Sequence, residues 1–367
     1  MRLEKSLLQN NGHKRLVIAS CLCIGVFFNA KAQIGGQAGA YLRSPAGPVA
    51  FAMGGANSAS PEDLCTWWNP AMLSVVPNTR IDLGGGLRSL GRTEGYSSVQ
   101  FKISPRVGMG LVVLYRGDPD IGNLYDEDEN AIDNGAFSTF TAKTGLSYLV
   151  TRKLSIGLNI GYYYERLPTS YSGSSLYYST ATAMGGFDFA LRYAPLNNWA
   201  CAVILQNIDI LKVLSGESAT IDMDWEVLSD ESGNSAITDK ITPVAVFASQ
   251  YDTRLAGKPF SWTCDIHAYA VDGDFTKLNC MEIRLNNGVE WKRWNTFYLR
   301  AGLGDMLLNR NIYNNADDFW DEFSPRITIG FGADLSKIQR GLKVNYGIAT
   351  DRTGAGVDQQ MGFMYSF

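Results

Sequence analysis

Residues 153–164 read KLSIGLNIGYYY. Leu154, Ile156, Leu158, Ile160, Tyr162 and Tyr164 fall on one face of an extended chain, and Ser155, Gly157, Asn159 and Gly161 on the other. Period-two alternation of this kind marks a β-strand with two unlike faces. RITIGFGAD at 326–334 repeats the pattern, with Ile327, Ile329, Phe331 and Ala333 opposing Arg326, Thr328, Gly330, Gly332 and Asp334. No segment after Ile81 sustains a helical period. Marking every such run predicts strands near 81–90, 96–104, 106–115, 138–150, 153–164, 181–194, 199–209, 240–250, 260–270, 279–292, 295–304, 325–334, 342–350 and 357–367. These are fourteen, an even count of segments of about ten residues, as a transmembrane barrel requires.

Connection lengths carry the same message. SPR, TRK, PLNN, KRWN and SKIQRG are brief and YDTRLAGKPF is intermediate, while RGDPDIGNLYDEDENAIDNGAF, RLPTSYSGSSLYYST, LKVLSGESATIDMDWEVLSDESGN and DMLLNRNIYNNADDFWDEF are long and polar. Alternating long and short connections fit extended outer loops and short periplasmic turns. A soluble sandwich with one polar face would explain the side-chain alternation but not the loops. The last strand, QQMGFMYSF, sets Met361, Phe363, Tyr365 and Phe367 on one face and ends on phenylalanine. The expected fold is therefore all-β, a closed antiparallel 14-stranded transmembrane β-barrel.

Composition agrees, with 38 glycines, 18 tyrosines, 17 phenylalanines, 8 tryptophans and only 19% charged residues in 367. The N-terminus has a basic region, an apolar run too short to span a bilayer, and an Ala-Lys-Ala step before Gln33. This predicts a signal peptide over 1–32, cleaved after Ala32, and so export to the cell outer membrane as an integral protein. Cleavage removes five basic side chains and one acid, moving the net charge from −4 to −8. No basic run suggests nucleic acid. Cys65, Cys201, Cys264 and Cys280 have no metal-ligand spacing. In the loop DEDENAIDN, Asp126, Asp128 and Asn130 alternate like the start of a calcium loop. Ala131 stands where glycine should turn the chain and Phe137 where the bidentate glutamate should be, so the loop reads as solvated and acidic, with no metal.

DLCTWWNPAML, at 63–73, precedes the strands and lacks their periodicity. Asn69 as N-cap and Pro70 at the first helical position would open a short helix through Ala71, Met72 and Leu73. Together with the segment YLRSPAGPVAFAMGGANSASPE before it, this stretch resembles the N-terminal signature of the PorV/PorQ family within the wider FadL-like superfamily. The carriers are Met53, Gly54, Gly55, Asp63, Trp67, Trp68, Asn69, Pro70 and Ala71. The resemblance implies that 33–80 fold back as a lumenal plug within a barrel of 81–367. It implies a non-catalytic component of type IX protein secretion and surface attachment, whose partners are translocon or surface-attachment proteins and cargo. The alternative it leaves open is a FadL-type transporter holding a hydrophobic ligand.

No cofactor or catalytic motif is expected. Asp265 and His267 share a strand face compatible with a dyad, but a polar lumen network explains them more simply. Read from the alternation, the inward charges are Asp188, Arg192, Asp265, His267, Glu282, Arg284 and Arg300, with Glu290, Lys292, Arg326 and Lys343. Charges of both signs on neighbouring strands are expected to pair and hold the plug, so that the barrel does not conduct as an open porin. Loops 116–137, 210–239 and 305–324 are expected outside, where Trp225 with Asp222 and Asp224, and Trp320 with Asp317, Asp318 and Asp321, suit protein recognition.

Overall fold

A computed structural model describes residues 38–118, 123–125, 131–172, 175–226, 237–270, 273–277, 281–294, 296–309, 325–350 and 356–367. Fourteen strands form the barrel: β1 Arg80–Leu87, β2 Thr93–Ser104, β3 Val107–Asp118, β4 Phe137–Thr151, β5 Leu154–Ser172, β6 Ser175–Leu196, β7 Trp199–Asp209, β8 Val244–Leu255, β9 Lys258–Ala270, β10 Met281–Trp291, β11 Phe297–Leu307, β12 Arg326–Asp334, β13 Leu342–Thr350 and β14 Val357–Ser366. Each pairs antiparallel with its sequence neighbours. Closure is by β1 against β14, with Arg80 opposite Ser366 and Leu87 opposite Gln359. An even number of strands lets first and last meet antiparallel, leaving no open edge in the bilayer.

The burial pattern is that of a soluble protein turned inside out. Outward Leu83, Ile329 and Phe363 are 51%, 57% and 48% exposed, whereas inward Glu94, Asp188 and Arg300 are 5%, 0% and 4% exposed. An apolar exterior suits hydrocarbon, and inward charges must then find partners within the lumen.

Several strands run further than expected. YDTRLAGKPF is not an intermediate loop, since β8 and β9 continue to a tight turn at Ala256 and Gly257, both with positive φ. The hairpin of β5 and β6 extends through most of 165–180, with Arg166 opposite Thr180 and Ser172 opposite Ser175. The strand expected at 240–250 starts at Val244, and Ile237–Ile241 pairs instead with Ile221–Glu226, which adds to the end of β6. Within the expected loop 210–239, Ile210–Ser215 is a short helix capped by Asp209. Residues 1–32, expected as a signal peptide, the acids Asp126 and Asp128 with Asn130, Cys280, and Asp317, Asp318, Trp320 and Asp321 lie outside the described residues.

The chain from Ala38 to Asn78 precedes β1 and is almost wholly buried up to Ser74. It packs on inward side chains of both halves of the barrel, as the hydrogen bonds below establish.

Candidate functional site in the lumen

Two short helices organise this N-terminal segment, α1 Pro48–Ala52 and α2 Cys65–Trp68. Pro48 at the first helical position suits the start of α1, where no N–H partner is needed. Its end explains the Met53-Gly54-Gly55 step. The amide of Gly55 donates to Ala50 O (2.8 Å) and that of Gly54 to Phe51 O (3.3 Å), with both glycines at positive φ. This is a Schellman-type helix end, which glycine accommodates without strain. Gly54 also lies on the wall: a Cβ there would stand 2.8 Å from the Leu303 backbone of β11.

Asn69 joins α2 to the next turn. Its extended backbone, φ −157° and ψ 94°, is what a residue before proline prefers. Its Oδ1 accepts from the Ala71 amide (3.0 Å) while Nδ2 donates to Ser58 O (2.7 Å). The expected N-cap is present, but Pro70–Met72 is a single 3-10 turn with Leu73 as its C-cap, shorter than the helix expected through Leu73. Trp67 and Trp68 are buried with Ala46, Leu64, Val112 and Leu114. The Trp68 indole N–H donates to Ala46 O (3.0 Å), and Lys143 Nζ lies 5.1 Å from the Trp67 ring centroid.

The barrel holds the segment at many places, and charged side chains supply several of them. At the end bearing the longer connections, Glu94 Oε2 accepts from Arg88 (2.6 Å) and Arg116 (2.7 Å), and Arg88 also pairs with Asp358 (3.2 Å). Arg116 then donates to the carbonyls of Tyr41, Ser44 and Pro45, and Arg88 and Gln360 to that of Pro45. On β9, Asp265 Oδ2 accepts from the amides of Asn57 (3.0 Å) and Ser58 (2.8 Å). On β6, Arg192 donates to Ala59 O (3.2 Å) and Ser60 Oγ (3.1 Å). On β11, Arg300 lies 3.3 Å from Glu62, 2.7 Å from Glu290 and 2.8 Å from Asn345 Oδ1, with Lys343 4.0 Å from Glu62.

The inward polar residues bond in several local groups. Asp188 accepts from Lys143 Nζ (2.8 Å), Asn159 Nδ2 (3.1 Å) and the Asn207 amide (3.0 Å). Glu282 and Arg284 pair with each other on β10 and make no described bond to the N-terminal segment. Arg326 lies 3.6 Å from Asp305. The carboxylate of Asp265 is engaged by backbone amides, not by His267, whose buried Nε2 has no hydrogen-bond partner among the described residues. No group of three His, Cys, Asp or Glu side chains able to hold a metal occurs among the described residues.

Within the segment, burial and then the neighbouring Asp82 carboxylate push Asp63 up to about 7. Its carboxylate caps α1 by accepting from the Val49 amide (3.3 Å) and takes a second bond from Asn57 Nδ2 (3.2 Å). Glu62 feels burial in the same direction, but Lys343 and Arg300 outweigh it and leave Glu62 below the usual carboxylate range.

Where the Asn-Pro-Ala turn meets the wall, Gly157 of β5 has no side chain, and a Cβ there would overlap the backbone of Pro70 and Ala71. Ser147 Oγ of β4 donates to Ala71 O (3.0 Å). On the other side of these residues lies an apolar groove of about 820 Å³ on the barrel exterior, bordered by Leu146, Ile156, Leu158, Leu191, Val203 and Leu205, with Ser147, Gly157 and Ala190 in its floor. Inside the lumen, a cavity of about 40 Å³ lies among Arg43, Trp67, Asn207, His267 and Tyr269.

No family model and no curated protein matches the chain. Among solved structures it resembles the Ralstonia pickettii toluene transporter TbuX, with a TM-score of 0.55 and 12% identity over 89% of this chain and 100% of that one. The Pseudomonas putida toluene transporter TodX gives 0.51 and 13% over 93% and 98%, and a Pseudomonas aeruginosa FadL homologue 0.51 and 10% over 87% and 97%. At such identities the likeness is one of fold, the FadL/TodX-like 14-stranded outer-membrane barrel.

Proposed function

We propose that this barrel is a non-catalytic outer-membrane channel of the FadL type, closed by residues 38–78 as a hatch, which passes hydrophobic small molecules. The observation that carries this reading is the position of the Asn-Pro-Ala turn. It stands directly behind the thin part of the wall, where Gly157 and Ser147 separate it from an apolar groove that opens to lipid. Displacement of that turn, together with local parting of the strand ladder that pairs Gly157 with Ser147 and Ala190, would join the lumen to the bilayer without carrying an apolar ligand through the charged residues at either end. The fold shared with toluene transporters supports the same reading.

A second reading is favoured by the lumen itself. A cavity of about 40 Å³ holds roughly three waters, whereas an engineered cavity that binds benzene measures about 150 Å³. In this reading the hatch stays shut and the loops bind proteins, as the PorV/PorQ-like Met53–Ala71 signature implies for a component of type IX secretion. Purification with a mild detergent separates the two. Bound apolar lipid or hydrocarbon, identified by mass spectrometry and absent from Gly157→Val, supports the channel. Ligand-free barrel that brings down translocon or surface-attachment proteins supports the second reading and overturns the first.

A further inference from the structure

The two ends of the barrel differ in charge. Six short turns link β2–β3, β4–β5, β6–β7, β8–β9, β10–β11 and β12–β13. Five of them carry exposed cations in or beside the turn: Arg106, then Arg152 and Lys153, Arg254, Arg293, and finally Lys337 and Arg340. The acids beside these turns are engaged by the barrel itself: Glu290 pairs with Arg300 (2.7 Å), Asp252 accepts from Gln250 and Ser261, and Asp334 Oδ1 accepts from the Ser336 amide (3.0 Å). The long connections at the other end are acidic in sequence, as in DEDENAID and DMDWEVLSDE.

These rim cations contrast with those of the lumen. Arg80, Arg88, Arg116, Lys143, Arg284 and Arg300 are each buried and ion-paired. None of the exposed rim cations forms an ion pair among the described residues. Aromatic rings stand at the same level and face outward. Tyr148, Tyr193, Trp294 and Phe297 are exposed within a few residues of the turns, and Arg293 lies 5.4 Å from the Trp291 ring and 6.0 Å from that of Trp294. Aromatic rings mark the depth of the membrane–water interface. A cation just beyond them sits at headgroup level.

We propose that the short-turn rim is a binding ring for anionic phospholipid headgroups of the membrane leaflet that it borders. Its distribution selects lipid over protein, because the charges encircle the barrel and lie beside lipid-facing aromatics instead of gathering on one patch of the end face. An excess of Lys and Arg at one interface attracts anionic headgroups and fixes the depth of the barrel. The proposal rests on the short turns facing the periplasm, where the bordering leaflet is phospholipid.

The test is quenching of intrinsic tryptophan fluorescence by dibrominated lipids. The full-length barrel is refolded into vesicles containing either brominated phosphatidylglycerol or brominated phosphatidylcholine. Trp199, Trp291 and Trp294 lie at the rim, Trp225, Trp262 and Trp320 are replaced by phenylalanine, and buried Trp67 and Trp68 give a constant background. The expected result is about a fivefold preference for the anionic lipid at low salt, falling towards parity at roughly 1 M salt as charges are screened. Arg152→Gln, Arg254→Gln, Arg293→Gln and Arg340→Gln combined should abolish the preference while a heat-modifiable gel shift reports a folded barrel.

Equal quenching by the two lipids in the unaltered protein overturns the proposal, as does a preference that survives both salt and the fourfold variant. An unaltered barrel that shows no lipid preference but binds polyglutamate through the rim assigns it to an acidic protein and equally overturns it. Topology is read separately with trypsin on intact cells. Cleavage at Arg152 or Arg340 would refute the periplasmic orientation without touching the lipid measurement.

Discussion

Glu94→Gln should open the hatch at its Tyr41–Pro45 end. Glu94 is buried and bridges two guanidiniums, at 2.6 Å to Arg88 and 2.7 Å to Arg116, and both of those donate to carbonyls of residues 41–45. Glutamine keeps the volume and one acceptor but removes the charge between the cations. Breaking one partner of a buried pair costs about 3–5 kcal/mol. Asp358, 3.2 Å from Arg88, still compensates that side, so the lower end, about 3 kcal/mol, is expected. If hatch opening limits exchange, this is roughly a hundredfold. Hydrogen exchange read by mass spectrometry reports the amides of Leu42 and Ser44, which donate to Gly39 O and Tyr41 O within the clamped stretch. They should exchange about a hundredfold faster, while the β2–β3 ladder beside them stays protected. Unchanged exchange at Leu42 and Ser44 in a folded variant would refute the clamp.

Gly157→Val should push the Asn-Pro-Ala turn off the wall, since the Cβ overlaps Pro70 and Ala71; a loss of about 1–3 kcal/mol in denaturant stability is expected, and an unaltered midpoint would count against the contact. Asn69→Ala removes the cap on Ala71 and leaves Ser58 O without its donor, for a loss of about 1–2 kcal/mol; circular dichroism melts would register it, and a wild-type melt would contradict the assignment. Asp63, raised to about 7, favours the hatch in its neutral form. Its contribution is complete below the unfolded carboxylate range near 4 and is lost as pH rises through about 7, so hatch protection factors, with the intrinsic base-catalysed exchange rate divided out, should rise from pH 8 to 5. The lowered Glu62 acts oppositely, but only below its ordinary carboxylate range. Asp63→Asn should flatten the pH 5–8 dependence, and a slope that survives the substitution would assign it elsewhere.

Strand count, alternation and the outward faces of β5, β12 and β14 were legible because lipid and a polar lumen impose period two on every strand. What the alternation hid was strand length. Glu94 and Arg116 fall just beyond the runs read at 96–104 and 106–115, where charge resembles loop; the lumen is polar to its mouth, so strands continue through charged residues. The Glu94 clamp was missed for that reason. Arg192, Asp265 and Arg300 were readable as inward and do contact the N-terminal segment. Their separation into distinct groups was not, since it depends on which strand faces which part of the segment. Gly157 read only as a small residue between apolar ones, and its role appears once the backbone of Ala71 is seen against it.

Planar-bilayer conductance tests the central claim most directly. The chain from Gln33 onward should stay closed, whereas a barrel lacking residues 33–78 should give stable openings, because the clamped segment no longer fills the lumen. Stable large openings from the intact protein, or identical behaviour of the two, would contradict a hatch-closed barrel.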